Sequence, residues 1–249
     1  MATIETASPS RTPFRNVSFY LALLIPAAVL AFAQSYSAGV TFSGKPLTAR
    51  IHVHTALMVL WLLMLVAQPW FIRTKRFRAH RWVGRSSYVI APAIILAALA
   101  VNHENMNRSA EGLGRGLTEA ARVAVFGLGQ ILAFAVTWGL AILFRRRTPL
   151  HVRFMISTAF AVSTAIIFRI LYAWVPGFGS IERVAVGNWT LLSLLLLALI
   201  VTDWRLGVKR SPFWVVTILI AIMHLGYWTF ATTDGWLAFI EWYVALPSW

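Results

Sequence analysis

The chain encodes an all-α, polytopic bundle of seven transmembrane helices, with its N-terminus inside and its C-terminus outside the membrane. Three observations lead there. Of the 249 residues, 59% are hydrophobic and 12% charged, with a mean hydropathy of +0.72. Soluble domains carry about 25% charged residues, so this share is too small to cover a water-facing surface. The apolar residues also fall into seven runs, each near the roughly 20 residues that cross ~30 Å of hydrocarbon. Finally, the basic residues gather in alternate connections.

A short tail (1–16) carrying Arg11 and Arg15 precedes the first run, Val17–Ala33. With Ala31-Phe32-Ala33 at its end, this stretch also fits a secretory signal peptide. It is taken as a retained anchor; cleavage would leave six helices and a new N-terminus outside. Ile51–Ile72 and Ser86–Val101 follow, joined through Arg73, Lys75, Arg76, Arg78, Arg81 and Arg85. Ala120–Phe144 and Phe154–Val175 are joined through Arg145, Arg146, Arg147 and Arg153. Asn188–Asp203 and Phe213–Thr232 complete the transmembrane domain (17–232) and are joined through Arg205, Lys209 and Arg210. The third and sixth runs are short, so their helices are expected to reach a few residues into flanking polar sequence.

On the other side, Lys45, Arg50, Arg108, Arg115, Arg122 and Arg183 are balanced by Glu104, Glu111, Glu119, Glu182, Asp234 and Glu241. Connections rich in Lys and Arg stay cytoplasmic, which sets the N-terminus inside. The net charge of +14 is therefore a topology signal and an attraction to anionic headgroups, not a nucleic-acid footprint. Aromatic rings mark the span ends as amphipathic groups at the headgroup level should: Trp70, Trp82, Trp204 and Trp214 inside, Tyr36 and Trp174 outside. The tail 233–249, with Phe239, Ile240, Trp242 and Tyr243 around Glu241, reads as an outer interfacial segment. Lysine is limited to Lys45, Lys75 and Lys209, a bias compatible with a GC-rich bacterial genome and hence with a bacterial inner membrane.

Cysteine is absent, which removes disulfides, thiolate metal sites, iron–sulfur clusters and covalently attached haem. No span holds a lysine for a retinal Schiff base, none holds a carboxylate for a proton pump short of Asp203 at the inner end of the sixth, and there is no glycine-rich phosphate loop, nucleophile elbow or HExxH. Gln68, Gln130, Ser163 and Thr164 read as packing glue. Asp203 is expected to pair with Arg205 or another basic residue of the same side.

Ionisable groups inside hydrocarbon are functional candidates by default. Arg169 lies about 15 residues into the fifth span, roughly 22 Å from its inner end. It shares a face with Thr158, Ala161, Ala165 and Tyr172, a stripe whose small residues let a neighbouring helix approach. Arg169 is thus expected to face the interior, with snorkelling to the outer headgroups as the alternative. His52, His54, His103 and His224 fall at or within the outer half, whereas His80 and His151 sit in the inner basic connections. Neutral imidazole is a common metal ligand. His52 and His54 point about 160° apart on a regular helix, so both cannot ligate one metal. A bis-histidine haem b would pair His54 with His103 or His224.

His80-Arg81-Trp82-Val83-Gly84-Arg85-Ser86-Ser87-Tyr88 reads H-R-x-x-G-R-x-x-Y, and His151-Val152-Arg153-Phe154-Met155 reads H-x-R-F-M, with Arg169 deeper in the same helix. This ordering resembles a broad group of bacterial multi-pass membrane proteins known as a domain of unknown function, over roughly the second to fifth spans. The resemblance implies a membrane fold and shared use of His80, Arg81, Arg85, His151, Arg153 and Arg169, and implies no activity. The cytoplasmic set of His80, Arg81, Arg85, His151 and Arg153 would form an anion or headgroup clamp, or simply retain topology.

The function expected on these grounds is an accessory or ligand-binding bundle with an outward-facing polar cavity around Arg169, Tyr172, His54 and His224. Such a cavity would take a small anionic or amphipathic ligand, a quinone headgroup or a cofactor. A haem b- or metal-binding redox protein, a small-solute transporter and a subunit bound to membrane-protein partners are the rival expectations.

Overall fold

A computed structural model describes residues 14, 16–40, 46–112 and 116–247. Arg11, Arg15, Lys45 and Arg115, which entered the charge comparison, lie outside the described residues, as do most of the 1–16 tail and the last two residues of the 233–249 tail. Nine α-helices are described: α1 Val17–Ala22, α2 Leu24–Ser37, α3 Ala49–Arg73, α4 Phe77–Gly112, α5 Gly116–Leu143, α6 Thr148–Trp174, α7 Ile181–Arg205, α8 Phe213–Leu225 and α9 Asp234–Ala245. A π-helical turn, Gly226–Phe230, extends α8. Taking α1 with α2, seven of these elements are long and apolar enough to cross a membrane. Their outward faces are apolar as well: Val89 is 73% exposed, and Leu194 and Leu195 of α7 are 59% and 52% exposed. Such a surface suits lipid rather than water.

Prolines set the local breaks. Pro26 has no N–H for the Ala22 carbonyl four residues back, and α1 ends at Ala22. Pro69 in α3 and Pro92 in α4 remove the usual donors to the Leu65 and Tyr88 carbonyls in the same way. Pro149 sits in the first turn of α6, where its missing N–H costs nothing.

The helices overrun the apolar runs that mark them. α4 begins at Phe77 rather than Ser86, and α7 begins at Ile181 rather than Asn188. Hydropathy ends a span where charge begins, but a helix can continue past that point with its charged side chains in headgroups or water. The connection after α3 is consequently only Thr74–Arg76, turned by Lys75 at φ 58°. His80, Arg81 and Arg85 thus lie on α4 and His151 lies on α6, which corrects their expected place in loops.

α6 is the central helix. Over its most apolar stretch 61% of residues are buried, against 39% for the next, α7, and it packs against α2, α5, α7 and α8. Its small polar residues need no partner helix. Ser157 donates to the Arg153 carbonyl at 2.9 Å, Ser163 to Ala159 at 2.7 Å and Thr164 to Phe160 at 3.2 Å, each one turn back. The close approach of α4 to α5 requires Gly127, where a Cβ would stand 1.7 Å from Asn102 Nδ2.

Two polar clusters tie the ends of the bundle. At the end carrying the arginine-rich connections, hereafter the basic end, Arg153 Nε donates to both Asp203 oxygens, at 2.9 and 2.8 Å. Its second terminal nitrogen donates to Oδ1 at 2.6 Å, and Ser211 donates to Oδ2 at 2.7 Å. Arg153 and Asp203 are 4% and 1% exposed, so the pair is buried. Asp203 pairs with Arg153, which lies 50 residues away in sequence, and not with the nearby Arg205. At the opposite end Glu104 accepts from Arg108 and, at 2.9 Å, from Thr48.

Helix α9 lies within the 233–249 tail and docks across α4 and α5. Ile240 is buried, Trp236 Nε1 donates to the Ala121 carbonyl at 2.9 Å and Tyr243 donates to Leu99 at 3.2 Å. Burial raises the Tyr243 phenol above its ordinary pKa of 10.0, which keeps it a donor.

Candidate functional site

The sequence offers two sets of candidate residues, one at each end of the bundle, and a large cavity, hereafter the principal cavity, lies at the basic end. It encloses about 920 Å³ between α3, α4 and α6, with α1 and the end of α5 contributing walls. That volume is near the upper end of small-ligand sites, roughly 300–1,000 Å³.

The walls change character with depth. Arg73, Arg81, Arg85 and Arg145 line the mouth, His80 and His151 stand on facing helices, and Trp61, Met64, Leu65, Leu21 and Ile156 form an apolar floor. From Arg73 to Trp61 the wall runs about 18 Å along α3, at 1.5 Å per residue. Leu65 and Tyr88, whose carbonyls the prolines deprive of a helical donor, are both lining residues.

Among the described residues no carboxylate lines this cavity. Among the described residues the basic end carries one acidic side chain, Asp203, and its charge is consumed by Arg153 and Ser211. Four exposed arginines therefore border a space with apolar walls and, among the described residues, no lining counter-charge. Such a geometry favours a positive local potential. Two of the arginines also rest on exposed rings: Arg73 Cζ lies 5.0 Å from the Phe19 centroid and Arg85 Cζ 5.7 Å from Trp82. These cation–π contacts hold the heads near the rim.

The two imidazoles are held by their surroundings. His151 Nδ1 lies 2.8 Å from the Ala141 carbonyl; a carbonyl can only accept, so Nδ1 carries the proton. His80 meets the Gln68 amide of α3. That amide is oriented by two backbone groups, since its oxygen accepts from Gly84 N–H at 2.9 Å and its nitrogen donates to the His80 carbonyl at 3.2 Å. In this orientation the Gln68 nitrogen also faces His80 Nδ1.

Of the expected basic set, His80, Arg81, Arg85 and His151 line the cavity. Arg153 does not, because its guanidinium is committed to Asp203. Sequence reasoning counted Arg73 and Arg145 only for topology, took Gln68 as packing glue and gave Trp61 no role. Trp61, Leu65, Gln68 and Ile72 recur at helical spacing on one face of α3, a signal that was present, though mixed with other apolar residues.

The second set is dispersed. His52 is exposed and lies 3.1 Å from the Tyr36 hydroxyl through Nδ1. His54 points elsewhere on the same helix, half-buried and within electrostatic reach of Arg169. Arg169 itself places Cζ 4.5 Å from the Phe32 ring centroid of α2, while Tyr172 is 37% exposed. His224 stacks on Trp189 at 3.6 Å, and His103 is fully buried edge-on to Tyr243 at 5.2 Å. None of these six residues lines the principal cavity. Nor do they line the smaller groove of about 400 Å³ at the opposite end, around Phe178, Glu182 and Trp228. Among the described residues no three His, Asp or Glu side chains are grouped to hold a metal ion. Comparison with protein-family models, curated proteins and solved structures finds no match to this chain.

Proposed function

We propose that this is a multi-pass protein of a bacterial inner membrane that holds an amphipathic anion in the cavity at its basic end. The observation that carries the reading is the pairing of four arginines, with no lining carboxylate among the described residues, with an apolar floor some 18 Å down the α3 wall. An anionic head pairs with the guanidinium groups at the mouth, and an apolar chain replaces water against Trp61, Met64 and Leu65. The site thus belongs to the basic clamp rather than to Arg169, Tyr172, His54 and His224.

The binding test uses the purified protein in phosphatidylcholine nanodiscs offered hexadecanol, hexadecyl sulfate or hexadecyl phosphate. The charged amphiphiles bind in preference to the alcohol, and the double change Arg81→Gln with Arg85→Gln weakens them by about tenfold or more. Equal retention of alcohol and anions by the unaltered protein would remove the basis for the assignment.

The same reading places the arginine-rich connections in the cytoplasm. Because the chain has no cysteine, a single Lys75→Cys reports its side without background. In intact cells that thiol resists a membrane-impermeant maleimide and reacts only after permeabilisation. Labelling before permeabilisation reverses the topology and puts the cavity mouth on the outer face.

A further inference from the structure

Resting on the binding reading above, we propose that the ligand head is a phosphate monoester on a single apolar chain, selected through Nε2 of His151. The argument begins at Ala141. Its carbonyl, 2.8 Å from His151 Nδ1, fixes the proton on the δ nitrogen, so in the neutral ring Nε2 presents a lone pair. His151 lines the cavity, and the neighbouring lining arginines are donors only. An acceptor nitrogen among guanidinium donors requires a ligand that brings both negative charge and a hydrogen of its own.

Common anionic heads differ on this point. A sulfate ester and a phosphodiester carry charge and no acidic hydrogen, whereas a phosphate monoester has a second ionisable hydrogen with a pKa of about 6. It can share that hydrogen with an imidazole, either as P–O–H donating to the neutral ring or, once transferred, as Nε2–H donating to the dianion. Its P–O–H can donate to Nε2 of His151 while its remaining oxygens accept from Arg81, Arg85 and Arg145. The hydroxyl of Thr148, also a lining residue, is compatible with either role. The floor is one continuous space built from Trp61, Met64, Leu65, Leu21 and Ile156. Two of the lining residues are methionines, Met64 and Met155, whose unbranched side chains adapt to a flexible chain.

The test compares hexadecyl phosphate, hexadecyl sulfate and hexadecyl methyl phosphate at equal mole fraction in phosphatidylcholine nanodiscs, read by native mass spectrometry of the intact protein. The monoester is expected to bind about tenfold tighter than the other two, the worth of one charge-assisted hydrogen bond. His151→Asn keeps a donor near the δ position for Ala141 and lacks the ε acceptor, so it loses the preference while still binding sulfate. His151→Gln restores an acceptor near the ε position and recovers part of the preference, which a merely structural histidine would not do. Inorganic phosphate, offered at the same concentration, does not displace the monoester.

Equal affinity for phosphate and sulfate in the unaltered protein overturns the monoester while leaving an amphipathic-anion site standing. Displacement by inorganic phosphate overturns the chain-bearing ligand. Binding of none of the three anions overturns this proposal together with the reading beneath it.

Discussion

Asp203→Ala is expected to destabilise the bundle by about 3–5 kcal/mol, the cost of leaving a buried guanidinium without its counter-charge. The effect is large because Arg153 has nowhere else to go. Its Nε and one terminal nitrogen are spent on Asp203, while the other terminal nitrogen donates to the Pro149 carbonyl at 2.9 Å. The same carboxylate accepts from Ser211, whose oxygen in turn accepts from Phe213 N–H at 3.3 Å. One side chain therefore organises the starts of α6 and α8 and the end of α7. Phe14 adds to the cluster, with its ring 5.0 Å from Arg153 Cζ and edge-on to Phe213 at 6.5 Å. Replacing both partners by apolar residues, as in Arg153→Met with Asp203→Leu, recovers most of the loss, because no charge is then stranded. Thermal unfolding in a fixed detergent measures both changes. If Asp203→Ala melts with the unaltered protein, the pair is not buried as described.

Trp189→Ala is expected to cost a comparable 3–5 kcal/mol, the range for emptying a large aromatic site in a packed interior. Trp189 is 1% exposed and lies between two rings, parallel to Phe126 at 4.8 Å and to His224 at 3.6 Å. Tyr227 meets both Phe126 and Trp189 edge-on, at 5.2 and 5.7 Å. Removing the indole leaves a void shared by α5, α7 and α8 and strips His224 of the surface it rests on. Trp189→Phe, which keeps a ring, is expected to cost less than half as much. Near-ultraviolet circular dichroism followed through the melt separates the two variants. An alanine variant with the melting temperature of the unaltered protein would falsify the placement of this stack in the core.

The Trp189 stack lies away from the cavity, so its loss can be measured without disturbing the proposed site, whereas the Arg153–Asp203 cluster adjoins the cavity through Phe14. The reverse also holds for the mouth. Arg81 and Arg85 are exposed residues of α4, and their neutralisation is expected to change binding with little change in stability, since exposed charges contribute little.

Several features were legible from residues alone. The apolar runs, the scarcity of charge and the alternation of basic connections led to seven helices long and apolar enough to cross a membrane, and seven are present. The two motifs also pointed to His80, Arg81, Arg85 and His151, which converge on one cavity although they lie on separate helices. Span ends were less legible. α4 begins nine residues before the apolar run that marks it, because backbone hydrogen bonding continues where hydropathy falls. Arg153 shows the limit of motif reading. It sits two residues from His151, yet the helix turns it away from the cavity and towards α7.

Read along the chain, composition, periodicity and charge placement follow from the solvent each segment must meet, and this little charge with this much apolar length suits hydrocarbon rather than water. What needed the folded arrangement was which residues of separate helices line the cavity at the basic end, and which arginine is spent on Asp203. Those outcomes depend on how helices far apart in sequence are rotated against one another. A rotation by one residue, about 100° on a helix, moves a side chain from cavity to core without altering any pattern along the chain.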